Sequence, residues 1–290
     1  VLIDGLRELV DSTNSFVYSG VNNIDASDEK GTIYGELFQN NINDSDKSNT
    51  IFGSIDRDTI VGNEGDDIIY GGFGNDYLEG GSDKDILLGG FGDDTLAADY
   101  NDKLIFGGEG TDKLVLLDDI EVEYIHKYKI DLQDNELSWA FKSDSRTELT
   151  HIIKIDSIED VVGSSFSETI IGNGGVNYLD GGDGDDKIYG GANNDVLIAG
   201  LGDDLYDGGV GIDYVDYKYL DKLGQNVEID LVDGVAVSAT VTETEDIIHE
   251  MDELVSIENV IASKYADDIF GNSDGNLIYG RGGDDYIDGR

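Results

Sequence analysis

The chain has 290 residues with 64 acidic and 18 basic side chains, a formal net charge of −46, 40 glycines, no proline and no cysteine. Charge of this sign excludes a phosphate backbone as partner, disfavours anionic membrane surfaces, and resists compaction unless counter-ions neutralise it. No disulfide staples the fold, and no apolar run reaches membrane-spanning length.

The length admits more than one domain. Residues 1–25 have scattered apolar positions without a period and read as the end of a preceding β unit. The segment VLIDGLRELV lacks a basic region followed by an apolar core, so it does not read as a signal peptide. With no initiating methionine, and with GGDDYIDGR stopping inside a repeat, the chain is expected to be part of a longer one.

From Ala26 to Val115 a nine-residue step sets in. Its eighth position reads Ile33, Ile42, Ile51, Ile60, Ile69, Leu78, Leu87, Leu96, Ile105 and Leu114. A flexible acidic linker would not keep aliphatic residues in phase over this distance. The early coils ASDEKGTIY, GELFQNNIN and DSDKSNTIF carry Gly31, Asn40 and Asn49 at the sixth position. They are expected to build the stack while binding cations poorly. Thereafter the sixth position is Asp58, Asp67, Asp76, Asp85, Asp94 and Asp112, interrupted once where ADYNDKLIF places Lys103. An ammonium does not ligate a cation, so that site is expected to be empty or filled differently.

The most regular stretch, 62–97, follows Gly-Gly-x-Gly-x-Asp-x-U-x, with U a large aliphatic residue. Glycines permit sharp turns and positive φ, so the carbonyls of loop residues such as Gly72, Gly74, Gly81, Gly90 and Gly92 are expected to point inward. A carboxylate among carbonyls is a hard oxygen cage of the kind that suits calcium. The last three residues form a short strand whose middle side chain enters the core.

Residues 116–162 break the period. Tyr128, Ile130 and Leu132 alternate with polar residues, as do Leu137, Trp139 and Phe141, and a third run, ELTHIIKI, follows. This reads as an antiparallel spacer with one apolar face. That face carries the single tryptophan and is expected to cap the first stack around Leu114 and Val115, because an open end would expose core and backbone.

The nine-residue step returns at 163–216, with Glu168, Asn177, Asp186, Asp195, Asp204 and Asp213 at the sixth position. Its expected carbonyl-bearing glycines are Gly182, Gly184, Gly191, Gly200 and Gly202. A second spacer, 217–261, holds a hairpin turning at Asp233-Gly234. Its stretch DIIHEMDELV reads equally as strand or helix. A third tract, 262–290, carries Asp267, Asn276 and Asp285 at the sixth position. The segments 21–35, 158–172 and 257–271 resemble one another, so a spacer-plus-repeat module recurs.

These nonapeptides resemble the RTX (repeats-in-toxin) family, whose repeats are known as calcium-binding parallel β-helix units. The resemblance covers nineteen nonapeptides. It implies an all-β fold of right-handed parallel β-roll blocks separated by antiparallel β spacers, with two nonapeptides per turn. It also implies that calcium sits between loops on one edge, pairing acids eighteen residues apart. The pairs are Asp58 with Asp76, Asp76 with Asp94, Asp94 with Asp112, Asp67 with Asp85, Glu168 with Asp186, Asp186 with Asp204, Asp195 with Asp213, and Asp267 with Asp285. That gives about eight calcium ions, coordinated by backbone carbonyls as well. Lys103, Asn177 and Asn276 depart from the pattern.

Family members leave the cell unfolded through type I secretion machinery and fold in external calcium, so the resemblance implies a secreted, extracellular or cell-surface location. A core of one aliphatic residue per short strand does not offset backbone entropy of about 1–2 kcal/mol per residue, so ion binding is expected to be part of folding. No catalytic residues are expected. His249 heads HEMDE, which lacks the second histidine of a zinc helix. His126 and His151 are expected at exposed strand positions, and the GGxG loops are too acidic to hold phosphate. The expected role is thus a calcium-folding module of a larger secreted toxin or surface protein. Alternatives are a structural unit of an adhesin or surface layer, or an accessory domain of a secreted hydrolase or epimerase, with neighbouring modules of the same chain as partners.

Overall fold

The computed structural model describes residues 8–10, 15–18, 23–25, 31–35, 38–44, 46–117, 125–141, 149–241 and 247–290. The chain forms two compact units. The first is Val1–Glu121 with Asn135–Leu137 and Ile152–Asp160, and the second is Val122–Asp134 with Ser138–His151 and Val161–Arg290.

In the first unit the nonapeptides alternate between two parallel ladders. One ladder joins Thr32–Tyr34, Thr50–Phe52, Ile68–Phe73, Ile86–Phe91 and Leu104–Glu109, with Ile33, Ile51, Ile69, Leu87 and Ile105 in register. The other joins Asn41–Asn43, Thr59–Glu64, Tyr77–Ser82, Thr95–Ala98 and Lys113–Leu116, with Ile42, Ile60, Leu78, Leu96 and Leu114 in register. Each aliphatic residue therefore sits on its counterpart two nonapeptides away, as a two-repeat turn requires. All ten are 0% exposed. Each contributes about 1.5–3 kcal/mol of burial, yet one side chain per strand is a thin core. Outside it, Tyr34, Phe52 and Tyr70 stack at 5.0 and 4.6 Å between ring centroids.

The ladders reach beyond the periodic tract at both ends. Ser15–Tyr18 pairs in parallel with Thr32–Tyr34, and Asn23–Asp25 with Asn41–Asn43. These strands thus continue the two ladders; in the sequence 1–25 reads as the end of a preceding β unit. At the other end Leu149–Asp156, from the spacer, pairs with Leu104–Glu109 and sets Ile155 on Ile105. Ile155 is 1% exposed and replaces a repeat aliphatic in the core.

The second unit repeats the plan. Ile130, Ile170, Ile188, Tyr206 and Leu254 share one parallel register. Leu179, Leu197, Val215, Val260 and Ile278 share the other. The second spacer is an antiparallel meander of Val227–Asp230, Val235–Val241 and Ile247–Val255. Its last strand extends the preceding block through Leu205–Val210, and its first strand supports the next through Asp268–Phe270. Gly234, at φ +68°, makes the hairpin turn, and its N–H donates to the Asp230 carbonyl at 2.8 Å. Within DIIHEMDELV, Ile247–Val255 is a strand because it is paired on both edges: Asp252 and Leu254 are buried while Met251 and Glu253 are exposed. Among the described residues the only α-helix is Leu220–Leu223, so no helix there is long enough to cross a membrane. In the third tract Ile269 is buried, Ile278 is half-buried and Ile287 is exposed.

Trp139 is 2% exposed. Its ring lies 6.4 Å from Tyr128 and stacks on exposed His151 at 5.7 Å, while Tyr128 lies 6.1 Å from Phe166. These aromatic contacts are internal to the second unit, where Tyr128 pairs with Glu168. The strand that extends the first roll is Leu149–Asp156, not the tryptophan strand: the spacer's last strand pairs back with Leu104–Glu109, while its first, Ile125–Asp131, pairs forward with Glu168–Ile171. The side chains of Phe141 and His126 lie outside the described residues. Tryptophan emission should shift to the blue at the same calcium concentration that restores the far-ultraviolet β signal. A constant emission while that signal changes would show that the tryptophan cluster folds independently.

Candidate metal centres

The sixth-position acids point inward at the turns between strands. Asp58, Asp67, Asp76, Asp85, Asp94, Asp112, Glu168, Asp186, Asp195, Asp204, Asp213 and Asp267 are each at most 3% exposed, and Asp285 is half-buried. In each pair one carboxylate oxygen accepts the backbone N–H of the acid eighteen residues earlier. Asp58 N–H donates to Asp76 Oδ1 at 2.7 Å, Asp67 to Asp85 at 2.7 Å, Asp76 to Asp94 at 2.8 Å and Asp94 to Asp112 at 2.8 Å. In the second unit Glu168 donates to Asp186 at 2.7 Å, Asp186 to Asp204 at 2.8 Å, Asp195 to Asp213 at 2.8 Å and Asp267 to Asp285 at 3.1 Å. The eighteen-residue pairs therefore meet. Asn40 and Asn49 precede these acids in the same ladders, their N–H groups donating to Asp58 and Asp67, and Gly31 N–H donates in turn to Asn49. Asn177 does so toward Asp195.

The second oxygen sorts the acids. In Asp67, Asp76, Asp85, Asp94, Asp112, Asp195 and Asp213 it is buried without a hydrogen-bond partner. In Asp58 it accepts the Ser54 N–H at 2.6 Å. Ser164 serves Glu168, Tyr206 serves Asp204 and Ser263 serves Asp267 through their hydroxyls. A buried, unpartnered carboxylate oxygen is costly, and such groups are retained where a cation completes them.

The neighbouring atoms are oxygens too. A Cβ added at Gly71 would lie 2.5 Å from Asp76 Oδ2 and 2.6 Å from the Gly89 carbonyl oxygen. At Gly89 it would meet Asp94 Oδ2 and the Gly107 carbonyl, and at Gly190 Asp195 Oδ2 and the Gly208 carbonyl. Carboxylate and carbonyl oxygens thus converge where only glycine leaves room. The glycines singled out in the sequence act beside this. Gly72 at φ +114° and Gly90 at φ +124° hold the left-handed turn, with the Gly72 carbonyl against Gly90. Gly74, Gly81, Gly92, Gly182, Gly184, Gly191, Gly200 and Gly202 each likewise abut backbone of the preceding coil. Among the described residues no three acidic, histidine or cysteine side chains converge on one point. These cages depend on carbonyls as well as carboxylates, a donor set that fits a hard cation such as calcium.

Burial raises most of these acids. It pushes Asp67 from 3.8 to about 8, Asp76, Asp85 and Asp112 to about 7, Asp94 and Asp195 to about 6, and Asp186 to about 9. Backbone N–H donors pull the other way, and the neighbouring acids add to the rise.

Four acids continue the ladders outside the nine-residue register. Asp102, not Lys103, faces Asp85: Asp102 is 6% exposed while Lys103 is exposed, and Lys103 N–H bonds the Asp85 carbonyl at 2.9 Å. The strand register on either side is unchanged, so only the loop slips by one residue. Asp252 accepts the Asp204 N–H at 3.2 Å, Glu159 the Asp112 N–H at 2.9 Å, and Glu258 the Asp213 N–H at 2.9 Å. The shared text of 158–172 and 257–271 was the available signal for the two glutamates.

A parallel roll whose turns are stacked through buried, half-satisfied carboxylates has the make-up of a cation-binding repeat protein. The RTX calcium-binding nonapeptide repeat matches residues 34–67, 43–78, 61–96, 79–114, 162–197, 187–215 and 261–290, together more than half of the sequence, and the chain belongs to that family. No curated protein matches it.

Proposed function

We propose that this chain is a module that folds on calcium after type I secretion, within a larger secreted or surface protein. The observation that carries this reading is the set of buried carboxylate oxygens without partners in Asp67, Asp76, Asp85, Asp94, Asp112, Asp195 and Asp213. These residues would hold calcium, with Asp58, Glu168, Asp186, Asp204, Asp267 and Asp285 completing pairs and loop carbonyls filling the coordination shell. The ion supplies positive charge where the fold has buried negative charge.

Where free calcium is scarce, a net charge of −46 and a thin core favour the unfolded chain, the form a narrow export channel passes. External millimolar calcium then drives folding on the far side. The chain's own residues perform no catalysis in this account.

Equilibrium dialysis with calcium and with magnesium tests it. Several calcium ions should bind cooperatively. Magnesium should not replace them, because it demands a tighter octahedral shell and gives up its water reluctantly. Equal binding and equal folding with magnesium would overturn the reading.

A further inference from the structure

The repeat pattern stops at Leu116 and again at Asp216, yet the acid ladder does not stop there. In the first unit the next acid after Asp112 is Glu159, and in the second the next after Asp213 is Glu258. Both lie in the same short sequence, Ser-Ile-Glu-x-Val, at 157–161 and 256–260. Neither glutamate falls in the residues matched by the nonapeptide family.

The two segments have one geometry. Ser157 has φ +54° and Ser256 φ +50°, the left-handed conformation that in the repeats falls mostly to glycine. Glu159 Oε2 accepts the Asp112 N–H at 2.9 Å, and Glu258 Oε2 the Asp213 N–H at 2.9 Å. In return Glu159 N–H and Asp160 N–H donate to the Asp112 carbonyl at 3.0 Å each, and Asn259 N–H to the Asp213 carbonyl at 2.9 Å. Ile158 and Ile257, 3% and 5% exposed, follow the two serines and are buried.

Asp112 and Asp213 are themselves 0% exposed, and the Oδ2 of each has no partner among the described residues. That oxygen and a serine carbonyl face the same place. A Cβ at Gly107 would meet Asp112 Oδ2 at 2.5 Å together with the Ser157 carbonyl oxygen. One at Gly208 would meet Asp213 Oδ2 at 2.7 Å together with the Ser256 carbonyl oxygen. Inside the repeats the corresponding carbonyl belongs to a first glycine, such as Gly107 above Gly89. In a repeat, first glycine and acid stand five residues apart, as in Gly107 and Asp112; in the new segments serine and acid stand two apart. The loop is shorter, and glutamate, one methylene longer than aspartate, spans the difference.

We propose that each of these two ends is closed by a calcium site of a second type. One is formed by Asp112, Glu159 and the Ser157 carbonyl, the other by Asp213, Glu258 and the Ser256 carbonyl. The proposal rests on the calcium reading of the repeats. The other edge of the second block shows the contrasting solution. There Asp204 Oδ2 accepts the Tyr206 hydroxyl at 2.7 Å and Asp252 Oδ2 the Tyr217 hydroxyl at 2.7 Å, both tyrosines fully buried, so those oxygens are completed without an ion. One edge closes on a cation and the other on two phenols.

The test counts calcium bound to the 290-residue chain by equilibrium dialysis, at the lowest concentration that saturates the unaltered chain. Glu159→Gln and Glu258→Gln should each lose one ion, the double variant two, and Asp252→Asn none, with the far-ultraviolet β signal kept in excess calcium. Glu159→Asp should also lose one ion, because the shorter side chain keeps the charge but does not span the loop. An unchanged count in the glutamine variants overturns the proposal. If a glutamine variant does not fold, the count for Glu159→Asp decides: one fewer supports the site, and no change overturns it. If the unaltered chain binds no calcium, the reading of the repeats fails first, and this proposal with it.

Discussion

Asp76→Ala should raise the calcium midpoint of folding several-fold and make the transition less cooperative. Asp76 stands between two coils. Its Oδ1 accepts the Asp58 N–H, its N–H donates to Asp94, and its Oδ2 is buried without a partner. Alanine removes a ligand from two neighbouring cages at once and leaves the Asp58 N–H unsatisfied, which alone costs about 1–3 kcal/mol. Exposed Asp56 in the same loops is the control, and Asp56→Ala should change stability by no more than about 0.5 kcal/mol. Calcium titrations followed by circular dichroism check both. An Asp76→Ala midpoint equal to that of the unaltered chain would show that the ladder acids do not hold the ion.

Without calcium, acid should take over part of the ion's role. Burial raises Asp67, Asp76, Asp85, Asp112 and Asp186 from 3.8 to values between about 7 and about 9. In this window the folded chain binds more protons than the unfolded one, so its stability falls as pH rises. The ion-free chain should therefore hold most β structure near the ordinary carboxylate value of 3.8 and lose it as pH passes through about 7 to 9. Calcium at neutral pH displaces those protons, so acidification should weaken calcium binding and calcium addition should release protons. Circular dichroism across this range, with and without chelator, measures both arms. More β structure at alkaline than at acid pH in the chelated chain would contradict the assignment of these buried acids.

Much of this was legible in the sequence because the repeat states it many times. Ile69, Leu87 and Ile105 share a phase, and a phase of nine with two-residue alternation in the strand fixes which side chain is inside. Asp58 and Asp76 share theirs, so their meeting at one edge followed from the family's two-repeat turn. What was not legible involved single occurrences. Asp102 replaces Lys103 through a one-residue slip in a loop, which leaves the strand register intact and so leaves no trace in the period. Glu159 and Glu258 lie two residues after a left-handed serine, where the nine-residue ruler does not apply. Ser15–Tyr18 joins the ladder through backbone hydrogen bonds, which place little demand on its sequence. DIIHEMDELV is decided by the strands on either side of it rather than by its own propensity. Trp139 reads as part of an apolar face, but the face it meets was set by the pairing of Tyr128 with Glu168.

The central claim is that calcium binding and folding of the roll are one event. Far-ultraviolet circular dichroism of the chain at neutral pH, in chelator and then in millimolar calcium, tests it most directly. The account predicts a largely disordered spectrum in chelator and a β spectrum in calcium, reached in one cooperative step and reversed by chelator. The same β spectrum in both solutions would contradict it.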